Sequence, residues 1–246
     1  MHIVPKQLKK KTAAKTREPQ YQFQIALDAT QGRATFGLMT NAAWDEDPRR
    51  MLFLLSRYKF VAKMLHGKEN VLEVGCGDGI GTRLLLQDVK KVCAVDFDPV
   101  FVKDVNDRMS AKWKFDCRVH DILSSTVPGN FDAAFSLDVL EHIEAKDEAK
   151  YITNISDSIS ENGVLIIGTP SIESQPYASP ASKEGHVNCK NGKSLRELLS
   201  KYFYNVFLFS MNDEVVHTGF HPMAHYLFAI CCGKRALARP GRSGKK

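Results

Sequence analysis

One short segment constrains this chain more than any other. Val71-Leu72-Glu73-Val74-Gly75-Cys76-Gly77-Asp78-Gly79 is an apolar run that ends in glycine at every second position. Such a pattern predicts a buried strand over Asn70–Gly75, a tight turn, and a helix opening at Ile80 and running to Gln87. Glycine is required where backbone takes positive φ or lies close against a ligand. A helix N-terminus behind that turn presents unpaired N–H groups and the positive end of its dipole. The segment therefore reads as a nucleotide-type cofactor loop, and the identity of the cofactor decides the chemistry.

Strand and helix patterns alternate on either side of it. Helix Pro48–Leu65 begins with a proline suited to a first turn, with Asp45 or Asp47 to cap it. Its apolar stripe holds Met51, Leu52, Leu54, Leu55, Tyr58, Val61, Met64 and Leu65. Further on, strands are predicted at Lys91–Asp96, Cys117–His120, Phe131–Leu137 and Val164–Gly168. Helices are predicted at Val100–Trp113, Lys146–Ile159 and Ser194–Tyr202, the second stopped by Glu161-Asn162-Gly163. Two final strands, Asn205–Met211 and Tyr226–Cys232, have no helix between them and must pair antiparallel. The expected fold is α/β: a Rossmann-like, seven-stranded, mostly parallel sheet with helices on both faces and a C-terminal antiparallel strand.

Composition adds limits. The chain has 246 residues and is 43% hydrophobic, enough for one large α/β domain with a real core. No apolar run approaches the ~18 residues of a membrane span. The lysine-rich start lacks a secretory core, and the six cysteines lack zinc-site spacing. Reduced thiols in a cytoplasmic protein are expected. The net charge of +6 is concentrated at the ends: residues 1–19 hold six Lys/Arg against one acid, and residues 235–246 hold five against none. These features predict disordered basic tails over 1–20 and 235–246. They leave a cap or lid segment over 21–47 and one domain over 48–234.

A dinucleotide turn would place its third glycine where Ile80 stands. An acid does end the second strand: Asp96 lies 19 residues after Gly77, where a carboxylate accepts hydrogen bonds from a ribose diol. Phe97 follows it and can lie on a purine face. The third strand runs into His120-Asp121-Ile122, an acid beside a backbone N–H that suits an adenine edge. The fourth ends at Ser136-Leu137-Asp138. Four successive strand ends thus offer ligand groups at the carboxyl edge of the sheet, where open α/β folds bind.

In that order and spacing the chain resembles class I S-adenosylmethionine-dependent methyltransferases. Glu73-Val74-Gly75-Cys76-Gly77-Asp78-Gly79 is similar to the family's glycine loop, Val95-Asp96 to its ribose acid, and Asp121-Ile122 to its adenine site. Phe131 to Ile143, with Asp138-Val139-Leu140-Glu141-His142 at its end, resembles the fourth strand of the small-molecule branch that includes ubiquinone-biosynthesis and sugar methyltransferases. Arg57-Tyr58-Lys59-Phe60 also recurs there. The resemblance spans roughly residues 50–234 and implies S-adenosylmethionine as donor. Its contacts would be Arg57, Glu73, Gly75, Cys76, Gly77, Gly79, Asp96, Phe97, Asp121, Ile122 and Leu137. An Asn-Pro-Pro-Tyr motif, which would position an exocyclic amine, is absent after the fourth strand.

A methyl group on a sulfonium is already an electrophile, so no metal is expected. An acceptor hydroxyl needs a base, and an acceptor amine needs only its lone pair. His186, His142, His217 and His221 stand in segments at the correct sheet edge, and the choice among them is open. His217, His221 and His225 are spaced like ligands on a helix, but Gly219 and Pro222 argue against a helix there. Thr169–Gly192 is too long for a plain connection and reads as a substrate lid carrying Tyr177, Ser182, Glu184 and His186. A small polar acceptor is the expected partner. RNA or protein acceptors held by the basic tails, and a non-catalytic binding role, are the alternatives.

Overall fold

The computed structural model describes residues 14–236, so predictions for 1–13 and 237–246, most of the two tails, fall outside the described residues. The chain divides after Thr35 into two units. In the first, a 3-10 turn at Pro19–Tyr21 leads into helix α1, Gln22–Gln31. Gly32 ends it at φ 68°, its N–H bonded to Asp28 O. α1 buries none of its residues and Phe23 is exposed, so this helix has no core side within its own unit.

The second unit begins with α2 (Leu38–Glu46) and α3 (Arg49–Met64) and continues as β1 (Val71–Val74), α4 (Thr82–Leu85), β2 (Val92–Asp96), α5 (Pro99–Asp107), β3 (Asp116–Val119) and β4 (Phe131–Leu137). After a 3-10 turn at Leu140–His142 come α6 (Glu148–Ser158), β5 (Ile159–Pro170), α7 (Pro180–Gly185), α8 (Gly192–Leu199), β6 (Phe203–Asn212), β7 (Val215–His217) and β8 (Tyr226–Lys234). The eight strands form one sheet in the order β3-β2-β1-β4-β5-β8-β6-β7. β1 to β5 pair parallel, while β8 is antiparallel to both β5 and β6. The predicted architecture is therefore present. The eighth strand, β7, is a three-residue addition paired antiparallel to β6, too short to leave a periodic signal.

Strand alternation sends successive side chains to opposite faces. Leu72 and Val74 join α6 and α8 through Tyr151, Ile152, Ile155, Leu195 and Leu199. Val71 joins α3 and α4 through Tyr58, Val61, Leu65 and Leu85. β1 is buried on both faces, as a central parallel strand must be.

Several boundaries differ from expectation. The helix after the glycine turn is only Thr82–Leu85. α5 stops at Asp107, where Arg108 turns back to Asp104 and to the carbonyl of Asp78. α6 ends at Ser158, one residue short of the predicted end, and β5 begins at Ile159 rather than at Val164, because β-branched Ile159 is already extended and paired with Phe131. On α3, Leu52 and Met64 from the predicted stripe are exposed, while Met51, Tyr58, Val61 and Leu65 are buried. The segment after β5 is ordered: Ser179 caps α7 with Pro180 in its first turn, and Asn191 and Ser194 form a capping box on α8.

Candidate active site

The glycine turn does what its spacing requires. Gly75, Gly77 and Gly79 all have positive φ, at 78°, 52° and 66°. Gly75 is the most confined: a Cβ there would lie 2.2 Å from Val139 Cγ2. The N–H groups of Gly75 and Cys76 both bond Val95 O, at 2.8 and 3.1 Å, which folds the turn over the end of β2. Asp96 Oδ2 accepts from Gly77 N at 2.9 Å, and Oδ1 accepts from Asp98 N at 3.0 Å. The carboxylate is thus fixed by backbone and keeps further lone pairs for another donor. α2 packs over the turn, with Met39 Sδ 2.9 Å from where a Gly77 Cβ would lie. Thr40 donates through its N–H and hydroxyl to Asp78 Oδ2.

Glu73 is not on the cavity side of this turn. It points to the α3–α4 face, accepting from Tyr58 OH and Thr82 Oγ1 at 2.6 Å each. Burial pushes its carboxyl up to about 7. Its place is behind the loop, pinning two helices to β1. Phe97 is 73% exposed next to Asp96. Asp121 is exposed past β3, its Oδ1 taken by Leu123 N, and Ile122 is buried in the core. Since His120 N bonds Asp96 O, the two acids lie at adjoining strand ends.

On the other side of the turn is a cavity of about 660 Å³. Its lining includes Gly75, Cys76, Gly77 and Leu137 together with Asp138, Glu141, His142, Gln175 and His186. Arg57 lies in it too, but its partner is within the protein: Nη1 donates to both oxygens of Asp138 at 2.8 and 2.9 Å, and the guanidinium stacks 3.9 Å from the Tyr226 ring centroid. Asp138 has φ 57°, an uncommon conformation for a residue with a side chain.

Around Asp138 the 3-10 turn and the lid meet. Glu141 is buried, with Oε2 accepting from Thr169 Oγ1 at 3.0 Å, and burial and Asp138 raise its carboxyl well above the usual range. His142 Nδ1 bonds Gly185 O at 2.8 Å, and His186 Nδ1 bonds Gln175 Oε1 at 2.9 Å. The two rings sit edge to face, 5.2 Å apart. Partial burial and the neighbouring His142 hold His186 below the ordinary imidazole value. The lid that carries His186 is tied at both ends: Ser171 and Lys190 form a bridge, and Asn188 bonds Glu141 O, Ile143 O and Glu148.

The other predicted histidines lie elsewhere. His217 is used at both ring nitrogens, by Asn212 Oδ1 and Gly219 N, in the β6–β7 hairpin. His221 packs against Gly192 and stacks on Phe220. Neither lines the cavity. His225 does, packed on Phe53. Glu141 and Gln175 were missed as site residues. Glu141-His142 was visible in sequence as an acid and an imidazole inside an apolar stretch, whereas nothing local marks Gln175.

The Methyltransferase domain family matches residues 72–167, from β1 through most of β5. That match covers the glycine turn and the strands on either side of it, and the chain is similar to proteins named as methyltransferases. It is 29% identical over 141 residues to a ubiquinone biosynthesis O-methyltransferase of Xanthomonas campestris, covering 54% of this chain and 58% of that protein. It is 26% identical over 151 residues to a probable S-adenosylmethionine-dependent methyltransferase of Mycolicibacterium smegmatis, covering 61% of this chain and 56% of that one. The chain thus matches a little over half the length of these relatives. Its fold is that of N-methyltransferase NodS from Bradyrhizobium japonicum, with TM-score 0.55, 19% identity, and 77% and 90% of the two chains covered.

Proposed function

We propose that this chain moves a methyl group from S-adenosylmethionine to an oxygen or nitrogen of a small polar molecule. One observation carries the reading: a single cavity of about 660 Å³ has the glycine turn in one part of its lining and a carboxylate–imidazole cluster in another. That volume suits a small ligand rather than a polymer. The donor fits the residues present. The positive-φ turn leaves cavity wall without side chains at Gly75 and Gly77, and Asp96 retains acceptor capacity next to the turn. Asp96, Phe97 and Asp121 are assigned to the adenosine, and Gly75, Cys76, Gly77 and Leu137 to the part near the methyl group. Arg57 is assigned to positioning Asp138 rather than to a donor carboxylate.

When bound, the donor supplies a methyl group on a sulfonium, which needs only a lone pair in line with the C–S bond. The chain's task is to aim that lone pair, exclude water and take up the hydroxyl proton where the acceptor is an alcohol. Glu141, His142 and His186 are assigned to it, as the acid and imidazoles that share the cavity lining. Acceptor C–N or C–O bond formation is matched by C–S cleavage, with sulfur keeping the electron pair. The O-methyltransferase relatives favour oxygen.

Calorimetry with S-adenosylhomocysteine, then labelled donor incubated with fractionated metabolite pools, tests this. Micromolar product binding and label transfer to a small molecule are expected. Absence of product binding overturns the donor assignment, and transfer only to RNA or protein overturns the acceptor class.

A further inference from the structure

We propose that the outer edge of β6 pairs antiparallel with the same edge of a second copy of this chain, joining two sheets into one. In the sheet order β6 stands next to last, and its outer neighbour β7 pairs only with Ser210, Met211 and Asn212. No strand among the described residues pairs with the outer side of Phe203–Phe209. Alternate residues there turn backbone N–H and C=O groups away from the sheet.

Such an edge is a template for another strand, and monomeric proteins blunt it with lysine, proline, a bulge or an inward-pointing charge. β6 has none of these. Phe203–Asn212 contains no charged residue and no proline, and it keeps one register with β8 from Phe203 to Met211. Val206 and Leu208 pack on the core beneath them, and Phe209 packs on Phe60 of α3. Tyr204 and Phe207, by contrast, are 64% and 55% exposed.

The charges at the ends select a second copy as the occupant. Lys201 precedes the strand, and Asp213 and Glu214 follow it. All three are exposed, and they make no ion pair among the described residues. An antiparallel copy lays the basic start of each strand beside the acidic end of the other, twice about a two-fold axis. A parallel copy would set like against like. β7 fixes the register, because the second strand has to begin where β7 stops: Phe203 of one copy faces Phe209 of the other. Val206 then meets Val206 across the axis, Tyr204 faces Leu208, and Asn205 faces Phe207. The two Phe207 rings become diagonal neighbours, within aromatic reach, and Lys201 lies diagonal to Asp213. One strand pair buries less than a standard interface, so a weak dimer is expected, with Kd of roughly 1–100 μM.

Sedimentation velocity on the full chain across that concentration range tests this, with Tm as the check that each variant folds. A monomer–dimer equilibrium is expected. Phe207→Lys should weaken it by more than about 30-fold, since each dimer loses two aromatic contacts and gains two neighbouring like charges. Lys201→Glu should weaken it by about tenfold through two rim pairs, and adding Glu214→Lys should restore it. Absence of that rescue overturns the antiparallel register. A wild-type chain that stays monomeric at the highest concentration overturns the proposal, as does a dimer that Phe207→Lys leaves unchanged. A chain truncated after Ala236 should dimerise as the full chain does. Dimerisation gained only on truncation makes residues 237–246 the occupant of the edge and overturns the proposal too.

Discussion

The proposed donor and acceptor regions are built by different means. Around the glycine turn, consecutive residues do the work: three glycines, the carbonyl of Val95 and the carboxylate of Asp96 form a structure held together by backbone N–H groups. On the proposed acceptor side, Arg57, Asp138, Glu141, Gln175 and His186 arrive from α3, the end of β4, the 3-10 turn and the segment after β5, and the arrangement rests on side chains. A backbone-built site is specified by where glycine is tolerated. A side-chain-built site is specified by which distant segments the fold lays together.

That contrast predicts opposite phenotypes, the largest on the acceptor side. His186→Ala should lower methyl transfer by about 100-fold or more, in the range of proton-handling groups, while leaving donor affinity within about twofold. Equal losses of both would break the division. Next is Glu73, which supports the donor turn from behind. Its carboxyl, raised to about 7 in the folded protein, binds a proton that the unfolded chain has released near 4.5. Between those values the folded state holds more protons, so stability falls as pH rises from about 4.5 to about 7 and is level above. The change is roughly 3 kcal/mol, and Glu73→Gln should abolish it in urea unfolding series across that window.

Gly75→Ala should cost the donor side about 2 kcal/mol, from a left-handed residue bearing a Cβ against Val139. Calorimetry should show a tenfold or greater loss of S-adenosylhomocysteine affinity. The smallest effect is expected for Arg57→Lys. It keeps the charge facing Asp138 but loses the stacking on Tyr226, at about 1 kcal/mol by urea unfolding. A larger loss would mean that the planar guanidinium is what holds Asp138 at its positive φ.

Local patterns carried most of the framework. The buried runs of β1, β2 and β4 and the stripe of α3 are periodic signals, and they gave the sheet and its covering helices. Gly75, Gly77 and Asp96 were legible because their spacing reflects contacts made within one strand–turn unit and its neighbour. Glu73 was read as a ligand because it stands in the same motif, yet strand alternation turns it to the opposite side, against Tyr58 and Thr82. Ile159 shows the limit at boundaries: pairing with Phe131 makes it the first residue of β5, ahead of the predicted start at Val164. β7 was missed because it exists only as a partner of β6.

The four candidate histidines divide the same way. Residue type alone made them equivalent. Tertiary structure separated His142 and His186, which face each other at 5.2 Å, from His217 and His221, which serve a hairpin and a helix start. Sequence by itself determined the alternating α/β plan, the glycine turn and the acid at the end of β2, because those depend on backbone conformation and periodic burial within short stretches. Only the tertiary structure decided that Glu141, His142 and His186 meet, because their meeting depends on the bridge between Ser171 and Lys190 and on Asn188 docking the lid to the 3-10 turn. Those contacts join residues from 19 to 45 positions apart, and no local pattern encodes them.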